Sequence, residues 1–459
     1  MTTHDSSPRP PAPAAPPASD TTTTPHGTPT APGTPHARRR APRALRTELR
    51  RGVGPWAGAG TAVVVAVAMY GKADYVNGWQ NRWTDATDLL RVAGVLLCGP
   101  LAVAAGCWQG GRERRRGTGA WRASLPGSPL RQTLLAAAPI ALWPAVGYLI
   151  AAAGCLLATW PYVSGGAPHL ELVAADAVVL ASLGTVGFVL GRAIPWRFTA
   201  PLLAVVTYVG LAYPNYSEPP ARWLNPANQH SYFLDRPVWW FGPVSMVWAG
   251  GLAAAVLLAY AARRRATALV PLTAACAAAV LIAQTGDGLW RPDPWAARPV
   301  CDDGTPQVCV SAVDRALLPA VSAALAPLNA RLRGVPGAPT RWVDPNPAEG
   351  EAQLPPPAFD SVRGRLKDPV AYADSAVDHL FSESCEDADF QAPDWERALA
   401  VNNAVGAWLS PADGLGPILG PAELRHLARL EAKSPADQRA YLARYLSADR
   451  CDAAQVPVP

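Results

Sequence analysis

The sequence predicts an all-α polytopic membrane protein: about seven transmembrane helices with the N-terminus inside, followed by an α-rich extracytoplasmic domain. Three observations predict it. Half of the 459 residues are hydrophobic and only 16% are charged, which points away from a string of soluble domains. Apolar runs long enough to cross a bilayer, about 20 residues each, recur along the first two thirds of the chain. Finally, arginine clusters occupy every second connection between those runs, which is how short cytoplasmic loops are marked.

The first segment, residues 1–37, is Pro, Thr, Ala and Ser with almost no large apolar side chain. It cannot bury enough surface to offset the entropy of ordering, so a disordered cytoplasmic tail is expected. No apolar core follows its start, so it does not read as a signal peptide. Residues 38–52 then place seven arginines just ahead of the first apolar run, with Leu45 and Leu49 four apart. That pattern fits a basic amphipathic helix lying on an anionic lipid surface.

The transmembrane domain is expected over 53–285, with spans near Val53–Gly71, Leu89–Gln109, Thr133–Thr159, Leu170–Leu190, Phe198–Tyr213, Gly242–Ala262 and Ala266–Thr285. The arginine clusters fall at 38–51, 112–131, 192–197 and 263–265, and the intervening loops are rich in Trp and Tyr. The first set marks the cytoplasmic side and the second suits an outer membrane interface. A bacterial plasma membrane with everything after Thr285 outside is the expected location. The charge agrees: residues 1–286 carry 24 basic and 11 acidic groups, the remainder 16 and 24.

The segment 286–459 reads as a helical domain stapled by disulfides. Val313, Leu317, Val321, Leu325, Leu328 and Leu332 recur at helical spacing. Asp368-Pro369, Ser434-Pro435 and Pro393-Asp394 are helix starts, giving about five helices. Four cysteines lie in this part, as expected of an oxidising compartment. In "CDDGTPQVC", Asp303-Gly304 and Thr305-Pro306 are turn formers that bring Cys301 and Cys309 together. That leaves Cys385 to pair with Cys451, tying the C-terminal tail to the helices. Metal-ligand spacing is missing, so neither a zinc site nor a calcium loop is expected.

No catalytic constellation emerges, and neither an enzyme nor a cofactor is expected. The Gly71-Lys72 pair lacks both the following Ser or Thr and the leading Gly of a phosphate-binding loop, so the chain has no ATPase of its own. H-E-x-x-H and G-x-S-x-G are missing too. Asp176 is expected near an interface rather than in a proton path, and Asp88 with Arg91, three apart, to pair with each other.

The loop "GRERRRGTGAWRASLPGSPLRQ", Gly111–Gln132, carries more than a topology signal. No aromatic interleaving or reader motif accompanies its arginines, which excludes nucleic acid as the favoured partner. With the following "TLLAA" it resembles the cytoplasmic loop between the second and third helices of ABC-2-type transporter permeases. The elbow Arg43–Arg51 and the Pro/Trp-rich loop Pro214–Phe241 also resemble that family, which covers about residues 41–262. The resemblance implies a coupling helix that sits in a groove of a separately encoded ABC ATPase. Arg112, Glu113, Arg114, Gly117 and Thr118 would form the turn, Trp121 to Leu125 the short helix, and Pro126 its break. It also implies a dimer of membrane subunits, homo- or heteromeric. A seventh span and a large outer domain depart from the six-helix permease core and resemble permease-like proteins of actinobacteria. The alternative reading is a membrane-anchored sensor or assembly protein whose outer domain binds a ligand or partner.

Overall fold

Each of the seven apolar runs forms a helix, in a computed structural model that describes residues 46–50, 52–71, 78–118, 128–216, 221–228, 234–344, 346–381, 394–410, 419–449 and 452–459. The helices are α1 (Gly54–Tyr70), α2 (Trp83–Gly110), α3 (Pro129–Thr159), α4 (Leu170–Ala193), α5 (Thr199–Ala212), α6 (Phe241–Ala261) and α7 (Leu269–Thr285). Five are long and apolar enough to cross a membrane: α2, α3, α4, α6, and α7 with its short flanking turns. At 17 and 14 residues, α1 and α5 extend about 26 and 21 Å, less than the ~30 Å of a hydrocarbon core. The expected tail 1–37 lies outside the described residues.

Helix α2 begins six residues before the expected Leu89, so Asp85 and Asp88 belong to it together with Arg91. Hydropathy finds only the apolar part of a helix, whereas Asp85 sits in the first turn, where the backbone N–H groups favour an acid. A π-helical turn, Val92–Leu97, follows Arg91 directly.

The centre of the bundle is the α2–α4 pair; two thirds of each helix's apolar window is buried, against about a fifth for α6 and α7. Small residues let these helices touch backbone to backbone. A Cβ on Gly106 would collide with the carbonyl of Gly184, and one on Gly187 with that of Val103. The outer helices turn Leu202, Val205, Val206, Val209, Val270 and Val280 outward, as lipid contact requires.

Among the described residues the C-terminal part has five α-helices: α8 (Leu318–Leu332), α9 (Pro369–Phe381), α10 (Trp395–Leu409), α11 (Pro421–Glu431) and α12 (Pro435–Ser447). Its helix starts fall where Pro369, Asp394 and Pro435 placed them, and Ser434 caps α12 by accepting from the Asp437 N–H at 3.2 Å. The α-helical expectation needs one correction, since four strands share that core. They are β3 (Pro299–Cys301), β4 (Gln307–Ser311), β5 (Arg341–Val343) and β6 (Ala352–Gln353), in that order, antiparallel at β3–β4 and parallel thereafter. β1 (Asp235–Pro237) pairs antiparallel with β2 (Trp290–Pro292), and β7 (Ser361–Val362) with β8 (Arg365–Leu366). Strands of two to five residues carry too few side chains to show a period-two pattern.

Leu317, Val321, Leu325, Leu328 and Leu332 are buried against β4 and Trp342, whose indole donates to Asn329 Oδ1 at 2.8 Å. The chain end is tied back by side chains: Arg397 donates to the carbonyls of Ala453 and Val456, and the Tyr441 hydroxyl to that of Pro457. The Cys385–Cys451 pairing falls outside the described residues, whereas Cys301 and Cys309 are bonded.

The α2–α4 contact makes a sharp prediction. Gly187→Val is expected to cost about 1–3 kcal/mol by overpacking, lowering the thermal midpoint of the detergent-solubilised protein. Gly154→Val, where a Cβ would meet nothing within 4 Å, is expected to leave it unchanged.

Candidate functional site

Three polar assemblies interrupt this apolar framework. The first is the arginine-rich turn after α2. Residues Arg112–Arg115 add one helical turn, closed by Thr118 N–H to Glu113 C=O at 3.1 Å and Gly117 N–H to Arg114 C=O at 3.2 Å, with Gly117 at φ +64°. This is a Schellman closure, and it explains why glycine stands at 117. Glu113 accepts from Arg192 of α4 at 2.5 Å, and Arg192 also donates to Thr133 of α3 at 3.3 Å. Arg114 donates to the carbonyls of Gly191 and Ile194, at 3.2 and 2.9 Å, satisfying the open end of α4. Arg112 pairs with Glu48 of the helical turn 46–50 at 3.4 Å, and that turn's Leu49 carbonyl accepts from Trp143 of α3 at 2.8 Å. Arg115 lies 4.0 Å over the Trp108 ring.

The sequence-predicted residues thus divide. Arg112, Glu113 and Arg114 join the turn to the helical turn 46–50 and to the end of α4, whose Arg192 reaches on to α3, and Gly117 and Thr118 shape it. Trp121, Leu125 and Pro126 lie outside the described residues.

The second assembly is inside the bundle. Arg91 Nε donates to Asp176 Oδ1 and the Tyr148 hydroxyl to Asp176 Oδ2, both at 3.1 Å, joining α2, α4 and α3. All three residues are buried. One expectation is corrected here: Arg91 makes its ion pair with Asp176 rather than with Asp88. Asp176 lies about two turns from the start of α4 and is enclosed by the neighbouring helices. The adjoining cavity, lined by Arg91, Asp176, Asn225, Ser245 and Trp248, measures about 20 Å³. That is room for about one water. A larger space, about 490 Å³, is an open groove between α3, α4 and α6, lined almost wholly by apolar side chains such as Leu134, Val178 and Leu257.

The third assembly is a joint between the segment before α2 and the C-terminal domain. Arg82 forms a bidentate pair with Asp314, Nε to Oδ1 being 2.8 Å, and Ser311 Oγ also donates to Asp314, at 3.2 Å. Both members of the pair are 1% exposed at the side chain. Asn81 donates to Ser361 Oγ at 2.8 Å and accepts from the Gly364 N–H at 2.9 Å. Gln80 Oε1 accepts from Arg363 Nε at 2.9 Å. Arg363 and Gly364, both at positive φ, form the two-residue turn of the β7–β8 hairpin. The tip of that hairpin is what Gln80 and Asn81 hold. Ser164, in the loop after α3, accepts from the Ala316 N–H at 2.9 Å.

Sequence reasoning missed this joint. Its one local signal is Gln80-Asn81-Arg82 set between Trp79 and Trp83, three strongly polar residues where only interfacial aromatics are called for.

Beside the joint, Asp344 is buried and its Oδ2 has no hydrogen-bond partner among the described residues. Burial, reinforced by the nearby Asp314 charge and only partly offset by Arg82, pushes its carboxyl up to about 6. The Asp344 charge also acts on the buried Tyr372, helping to raise its hydroxyl's pKa. Among the described residues, no cluster of His, Cys, Asp or Glu is arranged to hold a metal ion. Comparison with known proteins adds no relative: no family model, no curated protein and no solved structure matches the chain.

The sign for Asp344 follows from its raised value. The folded state holds the proton more tightly than the unfolded one, so stability is highest below the unfolded value and declines as pH rises through about 6. The joint is therefore expected to open less often at about pH 5 than at about pH 7.5, read as larger amide protection factors across β7–β8 once exchange is corrected for its intrinsic rate at each pH. Asp344→Asn is expected to slow exchange at neutral pH and to flatten this dependence. An unchanged slope in that variant would assign the titration elsewhere.

Proposed function

We propose that this chain is a permease-like membrane subunit of an ABC-type exporter, acting as a dimer of membrane subunits with a separately encoded ATPase docked at Gly111–Gln132. In this reading α1 and α5 are spans as well, giving seven crossings in the bacterial plasma membrane. The N-terminus and the arginine-bearing connections are cytoplasmic, and the C-terminal domain is outside.

The observation that carries the proposal is the way the arginine turn is built. Glu113 and Arg114 grip the end of α4, Arg192 extends that grip to α3, and Arg112 reaches the elbow helix. A force applied to the segment after Thr118 is delivered to several helices at once, as coupling needs. The tightly packed α2–α4 pair carries it through the bundle. At the far end, Asn81 and Arg82 pass it to the outer domain. The apolar groove between α3, α4 and α6 suits a lipid-like or amphipathic substrate better than an ionic one.

A second reading, a sensor or assembly protein whose outer domain binds a ligand, is favoured by the same joint, because a bound ligand there would act on α2 directly. The two readings separate on the ATPase. A cysteine introduced as Trp121→Cys is expected to crosslink to a co-expressed P-loop ATPase, and Glu113→Gln with Arg114→Gln is expected to reduce transport or resistance at least about tenfold, since charge-assisted contacts of this kind are worth 1.5–3 kcal/mol each. Recovery of no ATPase in the adduct, with the double variant fully active, would leave the sensor reading standing and end the exporter one.

A further inference from the structure

The Cys301–Cys309 bridge joins the antiparallel strands β3 and β4 directly across their register. A charged group sits on it. Arg341, on the adjacent strand β5, places Nη2 3.1 Å from Cys309 Sγ and 3.4 Å from Cys301 Sγ, while its Nη1 is held by Glu351 at 2.9 Å. A guanidinium gives an uncharged disulfide little, but it stabilises a thiolate strongly and so lowers the thiol pKa. The two sulfurs also differ in access: Cys309 is fully buried, whereas Cys301 is half-buried. The sulfur that can be reached and the sulfur closest to the cation are different atoms, which is the arrangement that an exchange reaction requires.

We infer that Cys301–Cys309 is a redox-active exchange site, in which a dithiol reductant attacks Cys301 Sγ and Cys309 leaves as a thiolate held by Arg341. In the first step the reductant's thiolate bonds to Cys301 Sγ as the Cys301–Cys309 bond breaks, its electron pair passing to Cys309 Sγ. In the second, the reductant's other thiolate attacks its own first sulfur, closing the reductant's disulfide and releasing Cys301, which takes up a proton. Two electrons move from the dithiol to the cysteine pair; one proton stays on Cys301 and the other goes to solvent.

The consequence reaches the joint. The Cys309 carbonyl accepts from the Asp344 N–H at 3.1 Å, and β4 continues through Ser311 into Asp314. Freeing β3 from β4 loosens the strand that carries the partner of Arg82. This inference does not rest on the exporter reading.

The test is a redox titration of the full-length protein in detergent against dithiothreitol and its oxidised form. Alkylation and peptide mass measurement distinguish Cys301 and Cys309 from the other six cysteines. Arg341→Met is expected to slow reduction about tenfold and to shift the equilibrium tenfold toward the disulfide, about 30 mV more reducing, with Arg341→Lys restoring most of both. On the reduced wild-type chain, the pH profile of Cys309 alkylation is expected to give a thiolate pKa below the ordinary value of about 8.5. Unchanged kinetics and equilibrium in Arg341→Met would overturn the inference. So would a Cys309 thiolate pKa at or above that value, and this second measurement needs no variant to fold.

Discussion

The ion pair between Arg82 and Asp314 is the contact on which the arrangement of the two halves depends. Neither side chain reaches solvent, so each charge relies on the other. Removing two charges from water costs several kcal/mol per ion, and only close bidentate geometry with further hydrogen bonds offsets that. Ser311 supplies one such bond to Asp314, and the Asn81 and Gln80 contacts to the β7–β8 turn fix the distance of approach. A domain that merely hung from the last membrane helix would need none of this. The pair holds the C-terminal domain to the start of α2 while the chain itself ties it to the end of α7, so the domain cannot rotate without disturbing α2.

Helix α2 is therefore held at both ends by arginine. At its start Arg82 enters the joint, and one turn past its end Arg112 and Arg114 secure the elbow and the C-terminus of α4. Between them Arg91 is neutralised by Asp176 inside the bundle, beside the π-helical turn. An ionisable pair enclosed among apolar helices is costly and is usually retained for function. Here it crosslinks α2, α3 and α4, and the small space beside it, between α2, α4, α6 and α7, measures about 20 Å³, which suits a rigid core better than a conduit. The helices fastened by these arginines are those that would have to move together if a motor acted on the turn.

What the sequence revealed was local in character. Seven apolar runs became seven helices because hydropathy and helix length are properties of a short window, and Pro369, Asp394 and Pro435 marked helix starts because capping is decided within one turn. The Cys301–Cys309 bridge was legible for the same reason, its turn formers lying between the two thiols. The joint was not, since Arg82 and Asp314 are 232 residues apart and Asn81 and Ser361 are 280 apart. Nothing in a window around any of them names its partner. Arg91 was misread because Asp88 offered a plausible partner one turn away, while the true one is 85 residues distant. The sheet was hidden by strands too short to show alternation, and Asp344 is conspicuous only once its burial is known.

Fixation of the C-terminal domain to the helical bundle by a buried ion pair is best tested by a double-mutant cycle on Arg82→Met and Asp314→Leu. The readout is the free energy of local opening across Ser361–Leu366, from amide exchange of the detergent-solubilised protein. Each single change strands a buried charge and is expected to cost about 3–5 kcal/mol, whereas the double change is expected to cost much less than the sum. Additive losses, or single variants that exchange like the wild-type protein, would contradict the account.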